Sequence, residues 1–485
     1  MPKGIRISFI SLLAIISILV FQTTAVGKKK PKRRAARAKA TKRVTLALPA
    51  LVLHKVQTIS TTTPNLDANN PLKKSRIKTP VLAGPPAPNV TASAGQLIIS
   101  EFRLRGPNGP LDEFIEIYNS SGADHTVDSA SGTGYGVAAS DGIARCTIPD
   151  GTVIPNRGHY LCVNSSPFGY SLASYPAGNG TTATGDATYT TDILDNAGIA
   201  IFNTSIAANF TLLNRIDAVG STSEANPLYK EGTGYPMLLG ATYLSGINYS
   251  LYRDNCGKGG SITTFGQCPI STPKDSDNND ADFIFVDTNG MSAGAGQRLG
   301  APEPENLSSP IQRNTSLPAT LLDPCVSGIS APNRVRDLTP GPVATSQFGT
   351  MEIRRTITNN TGGNVTRLRF RIIDITTFPA PSGIADLRPI TSTAIVVTVD
   401  GAPCGAGTSN VTVQGTTLEQ PPAQGFGGGF NSTLSVGTIT LATPLPPVDN
   451  PGTPATIENQ INVRFLLGIQ QRGSFKIWMN LEALP

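Results

Sequence analysis

Apolar and polar residues alternate with a period of two along most of the chain, which predicts strands rather than helices. Leu97–Asn119 shows this most plainly. Leu97, Ile99 and Phe102 mark one run and Phe114–Tyr118 a second, with Gly106, Pro107, Asn108, Gly109 and Pro110 breaking the pattern between them. A strand, a loop and a returning strand follow. Glu101, Glu113 and Glu116 punctuate the two runs. Glu113 and Glu116 stand three apart, so their carboxylates leave opposite strand faces and cannot converge as acid and nucleophile. Their expected role is to pin the hairpin.

The pattern continues downstream. Cys146–Val163 reads as a strand, an Asp-Gly turn, a second turn at Pro155–Gly158 and a strand, and short runs follow at Asn196–Asn203, Leu213–Val219, Ser250–Arg253 and Ala281–Asp287. Ser308–Pro324 is a Pro- and Ser-containing connector. Beyond it, Met351–Asn359, Leu368–Ile375, Ala394–Asp400, Thr433–Leu441, Ile461–Ile469 and Phe475–Leu481 are further expected strands. The last two flank Gln470–Gly473 and are expected to close the chain as a hairpin. Around Leu368–Ile375, Leu368, Phe370 and Ile372 point one way while Arg367, Arg369 and Arg371 point the other. The ordinary reading of that arginine row is a solvated sheet face. The pointed one is a grip on an acidic glycan or phosphate.

Composition agrees with short strands and many turns. Charged residues make only 15% of the 485 positions, while Gly (49) and Pro (39) are abundant, so strand–turn architecture is favoured over long helices. The expected fold class is all-β: two immunoglobulin-like β-sandwich domains in tandem behind a disordered N-terminal region. The divisions are 1–26, 27–95, 96–306, 307–324 and 325–485.

Charge changes the picture at the N-terminus. The net charge is +6, but residues 1–43 hold twelve Lys/Arg and no acid, leaving 27 basic against 33 acidic residues elsewhere, a net of −6. The expected domains are therefore mildly acidic and do not offer a globally basic nucleic-acid surface. Lys3 and Arg6, the apolar Ile7–Phe21 and the small Thr23 and Ala25 follow the order of a secretory signal peptide. An uncleaved anchor is the competing reading; the mature chain is expected to carry no transmembrane helix. Lys28, Lys29, Lys30, Lys32, Arg33, Arg34 and Arg37 open a basic block reaching Arg43. Cationic flanks oppose translocation, yet the cysteines and β-rich composition favour export, to the cell envelope or beyond. The block is a solvated spacer or an electrostatic grip on a polyanion: an acidic cell-surface polymer or protein, anionic lipid, or nucleic acid such as extracellular DNA.

The first domain resembles a known family. Ile99–Glu101 (ISE), Glu113–Asn119 (EFIEIYN), Ile148–Val163 (IPDGTVIPNRGHYLCV), Ala197–Asn203 (AGIAIFN) and Ile216–Gly220 (IDAVG) come in the order of a lamin tail domain of the bacterial, secreted type. Asp275–Phe285 (DSDNNDADFIF) and Gly300–Asn306 (GAPEPEN) fit the end of such a domain. The resemblance covers residues 96–306. It implies an immunoglobulin-like sandwich that accompanies other exported modules and has no catalytic site of its own.

Few constellations suggest chemistry. Six cysteines behind a signal peptide suggest disulfides, with fifteen connectivities open. Proximity along the expected strands favours Cys146–Cys162 across a hairpin and Cys256–Cys268 around a Gly-rich loop, leaving Cys325–Cys404. Zinc spacing is absent, and His54, His125 and His159 are scattered. A hydrolase built on Glu101, Glu113 or His159 is the least supported reading, since no nucleophile elbow accompanies them. Asp275, Asp277, Asn279 and Asp282 offer the oxygens that suit calcium but lack the EF-hand glycine and terminal glutamate, so an Asx-rich turn is the plainer expectation. No catalytic residue and no organic cofactor is expected. The function read from sequence is a non-enzymatic structural or adhesion protein.

Overall fold

The computed structural model describes residues 95–175, 183–236, 247–255, 272–290, 297–377, 385–401, 404–420, 425–448 and 457–484. The expected signal segment, the basic residues Lys28 to Arg37, His54, Cys256 and Cys268 lie outside them. The fold is all-β. Among the described residues, helix is confined to one turn at Asn279–Asp282 and three 3-10 turns, and no helix is long and apolar enough to cross a membrane.

In chain order, the first half contributes β1 (Leu97–Arg103), β2 (Phe114–Asn119), β3 (Tyr135–Ala139), β4 (Ala144–Ile148), β5 (His159–Asn164), β6 (Ala187–Tyr189), β7 (Ile199–Phe202), β8 (Arg215–Val219), β9 (Tyr249–Arg253), β10 (Phe283–Asp287) and β11 (Arg298–Leu299). A seven-stranded sheet runs β11-β10-β9-β1-β2-β5-β6 and faces a four-stranded sheet, β8-β7-β3-β4. Their facing side chains, among them Leu97, Ile99, Phe102, Ile115, Ile117, Val137, Ile148, Ile199 and Phe285, form one core. The expected hairpin is present, with Leu97 opposite Asn119 and Arg103 opposite Phe114. A bulge between Ile99 and Glu101 lets both Ile99 and Phe102 face the core while Glu101 turns outward. Arg103, fully buried, closes the base of the intervening loop by pairing with Asp112.

The second half contributes β12 (Ile311–Gln312), β13 (Ala319–Leu321), β14 (Arg334–Asp337), β15 (Thr350–Thr358), β16 (Arg367–Ile375), β17 (Asp386–Ile390), β18 (Ile395–Gly401), β19 (Gly405–Val413), β20 (Thr417–Glu419), β21 (Thr433–Ser435), β22 (Gln460–Gln471) and β23 (Ile477–Leu484). One sheet runs β12-β23-β16-β21-β20; the other runs β13-β15-β22-β17, with β14 also on β15; β18 and β19 pair apart. Leu368, Phe370, Leu434, Val463 and Phe465 meet between the two larger sheets, where Phe370 packs edge-on against Phe465 at 4.7 Å. The stretch expected as a connector supplies β12 and β13 to these sheets.

Two expectations need correction. The closing hairpin does not form. β22 pairs with β15 along Thr350–Thr358 and with β17, whereas β23 pairs with β16 in the opposite sheet, so the chain arches from one sheet to the other. A period of two identifies a strand without naming its partner, and β15 and β16 offer longer ladders than a local turn would. Cys146–Cys162 does form, but between β4 and β5, which belong to different sheets, so it staples the sandwich across its core rather than across a hairpin. Cys325–Cys404 also forms, tying the start of the second half to the β18–β19 turn.

One local device occurs in both halves. Asn119 ends β2, and its Nδ2 donates to Ala123 O and Ile154 O at 2.8 Å, while its Oδ1 accepts from Ser121 N at 3.0 Å. Asn359 follows β15, and its Nδ2 donates to Gly363 O at 2.9 Å and Leu445 O at 2.7 Å, while its Oδ1 accepts from Thr361 N at 3.0 Å. Gly122 (φ 85°) and Gly362 (φ 80°) supply the left-handed residue in each turn. Each buried amide thus satisfies carbonyls from two segments. Asn119→Ala leaves them unpaired and is expected to cost about 2–3 kcal/mol in urea unfolding, with Asn359→Ala similar; a loss below about 0.5 kcal/mol would refute this role.

Candidate functional site

The chemistry of this chain concentrates where the two halves meet. Alternation on β16 sends Leu368 and Phe370 into the core and Arg369 and Arg371 to the opposite face. That face is covered, not solvated. Arg369 is 0% exposed and Arg371 5%, which overturns the expected open row; Arg367 alone is half-buried. The seven-stranded sheet and the buried Ala301–Asn306 segment lie over it.

Four side chains close a ring there. Arg369 pairs with both Glu305 and Glu482. Arg371 Nη2 lies 3.0 Å from Glu305 Oε2 and its Nε 2.9 Å from Glu482 Oε1. Glu482 faces Arg369 directly across the β16–β23 ladder, and Glu305 arrives from the connecting segment. Each guanidinium therefore bridges the same two carboxylates, a charge-balanced arrangement with the fork geometry that arginine favours. Arg371 Nη1 also donates to Asn431 O at 3.2 Å.

Three further carboxyls face this ring. Glu101 Oε2 accepts from Asn431 Nδ2 at 3.0 Å, and Glu303 Oε1 accepts from Thr433 N at 3.0 Å. Glu116, opposite Glu101 in the β1–β2 register, accepts from Glu305 N and from the Ser100 hydroxyl. Burial is the main cause that pushes Glu101 up to about 7 and Glu303 up to about 8, and it raises Glu116 well above the carboxylate range, helped by the neighbouring Glu101 charge. The upward shifts favour the protonated, uncharged form of all three carboxyls around the ring.

His159 belongs to the same cluster. Its Nε2 lies 3.3 Å from Glu305 Oε2 and 3.8 Å from Glu116 Oε1. Burial, then Arg371 and Arg369, hold its pKa well below the usual value, so the ring is neutral near pH 7. Glu116, His159 and Glu305 present donor atoms close enough to ligate one ion. Glu305 already binds both arginines, and Glu116 already accepts two hydrogen bonds. The void beside them, lined by Ser100, Glu116, His159, Glu305, Arg371 and Glu482, measures about 40 Å3. That holds about three or four waters at roughly 10–15 Å3 each, whereas ligand pockets span roughly 300–1,000 Å3.

The other sequence candidates lie elsewhere. Glu113 accepts from Asn164 Nδ2 at 2.9 Å and Ile193 N at 2.7 Å, pinning a loop; burial raises it to about 8. His125 lies against Tyr135, 5.9 Å between ring centroids. The Asx-rich segment is organised around a guanidinium. Arg253, fully buried on β9, pairs with Asp217 at 2.8 Å, Asp275 at 3.2 Å and Asp282 at 3.7 Å. Asp282 also accepts from Ser276 N at 2.9 Å, and Asn279 reaches Gly220 N at 3.0 Å, Glu231 N at 2.9 Å and Ala218 O at 3.0 Å. Asp277 is exposed at φ 53°. Asp275 and Asp282 thus share an arginine, while Asn279 holds backbone groups. Sequence reasoning missed Glu303, Glu305, Glu482 and Asn431. The signal for one was present: Glu482 alternates with Leu481 and Ala483 and so takes the arginine-facing side of its strand.

No family model, characterised protein or solved structure matches the chain.

The buried carboxyls set a pH dependence. Glu101 and Glu303 lose their protons near 4.5 when unfolded but only near 7 and 8 when folded. At these two groups the folded state therefore binds more protons across that window, and their contribution to stability is full below pH ~4.5 and is lost toward pH ~8. The melting temperature is expected to fall from pH 5 to pH 8.5, and Glu303→Gln to flatten the profile. A melting temperature that rises over this range would contradict the assignment.

Proposed function

We propose that this chain is an exported, non-enzymatic structural or adhesion protein of the cell envelope, built from two immunoglobulin-like sandwiches of which the first, 96–306, is a lamin-tail-like module. The observation that carries the reading is the closed ring of Arg369, Arg371, Glu305 and Glu482 between the halves. Glu101, Glu116 and Glu303 around it hydrogen-bond to neighbouring residues, and the void beside them measures about 40 Å3. The ion pairs join the two halves into one unit. Two disulfides, one across a sandwich core, support an oxidising compartment.

Fractionation of the producing cell with N-terminal sequencing of the recovered protein tests this. The expected result is protein in the envelope or medium, beginning near Val26 or Gly27, with its cysteines oxidised. Recovery from the cytosol with reduced cysteines and residues 1–26 retained would overturn export. Hydrolytic activity in the purified protein that Glu101→Gln or His159→Ala abolishes would overturn the non-enzymatic reading.

A further inference from the structure

A second, larger depression opens along the same seam. It measures about 300 Å3 and is lined by Tyr118, Ser120, Asn156, Arg157, Gln312 and Thr315, among others. Tyr118, Arg157 and Gln312 line both this groove and the inner void, so the groove sits directly outside the charged junction. Its walls come from both halves: the end of β2 and the turn before β5 on one side, the exit of β12 on the other. At that volume it reaches the lower end of small-molecule pockets, roughly 300–1,000 Å3.

Its polar groups are incompletely used. Asn156 Oδ1 is buried without a hydrogen-bond partner, an acceptor waiting for a donor. Arg157 makes only a long contact, 3.4 Å, to Gln312 O, and among the described residues it has no ion-pair partner. Arg157 is also held at φ 64°, a conformation non-glycine residues adopt rarely and one that recurs at binding sites.

We propose that this groove binds an acidic saccharide, with the sugar carboxylate on Arg157 and a sugar hydroxyl donating to Asn156 Oδ1. The pairing of cation and orphan acceptor selects for a ligand that is both anionic and rich in hydroxyl donors, as a uronate is. Ser120 and Thr315 add hydroxyls at the rim. The proposal deepens the adhesion reading and rests on it only for the source of the ligand, an acidic surface polymer. It assigns recognition to the seam of the folded body rather than to the basic N-terminal block.

Titration calorimetry of the full chain with trigalacturonate in 0.15 M salt tests it, with maltotriose as the uncharged control. A variant with Lys28, Lys29, Lys30, Lys32, Arg33, Arg34 and Arg37 replaced by Gln separates groove from tail. The expected result is that wild type and tail variant bind trigalacturonate alike, that maltotriose binds at least about tenfold more weakly, and that Arg157→Gln weakens trigalacturonate about tenfold or more at unchanged melting temperature. If Arg157→Gln shifts the melting transition, Asn156→Ala is read instead, with a loss of about fivefold or more expected. No binding by wild type, equal binding of maltotriose, undiminished binding in the groove variant, or loss confined to the tail variant would each overturn the proposal. None of these outcomes bears on export, which the fractionation decides.

Discussion

Two buried arginines on one strand constrain how the halves of this protein fit together. Arg369 and Arg371 cannot leave water unless carboxylates meet them, and the two that do come from different places: Glu482 across the ladder, and Glu305 from the segment that joins the halves. Buried ion pairs are often no more stabilising than a well-packed apolar contact would be. Their consequence is specificity. Removing one partner strands a charge, so the connecting segment has one position, and with it the seven-stranded sheet has one position over β16. Glu101, Glu116 and Glu303 complete the enclosure as protonated or hydrogen-bonded neighbours.

Apolar packing continues through the same seam. Tyr252, Ile284 and Val286 from β9 and β10 join Phe430, Ile372, Leu467 and Ile469 in one buried cluster. The described residues accordingly form a single compact unit. A tandem of independent beads on a flexible connector would bury neither the arginines nor Tyr252. The groove outside the junction inherits this rigidity, because its walls are held by the elements that carry the ring.

How much of this was legible in the sequence depends on what period two can say. It says which side chains share a strand face, and so it identified β1, β2, β5, β9, β10, β15, β16 and β22 and the inward set Leu368, Phe370 and Ile372. It does not say what covers the other face. Arg367, Arg369 and Arg371 read as solvated because most charged strand faces are, and only the tertiary approach of Glu305 makes two of them core residues. Nor does it name strand partners, which is why β22 and β23 read as a hairpin although each is claimed by a longer neighbour in a different sheet. Cysteine proximity found the Cys146–Cys162 pair, but the wrong geometry for it. The Asp275–Asp282 stretch offers oxygens in a pattern that suits a cation; the structure supplies Arg253, which lies 22 residues before Asp275 and is brought there by the β9–β10 register.

The most direct test of the weld is native-state amide hydrogen exchange at low denaturant, comparing β1 and β2 with β16 and β23. If the charged ring holds the halves as one unit, the slowest amides of all four strands open with the same free energy and the same denaturant dependence. Amides of β1 and β2 that exchange through a separate, lower-energy opening while β16 and β23 stay protected would show two independent bodies and contradict it.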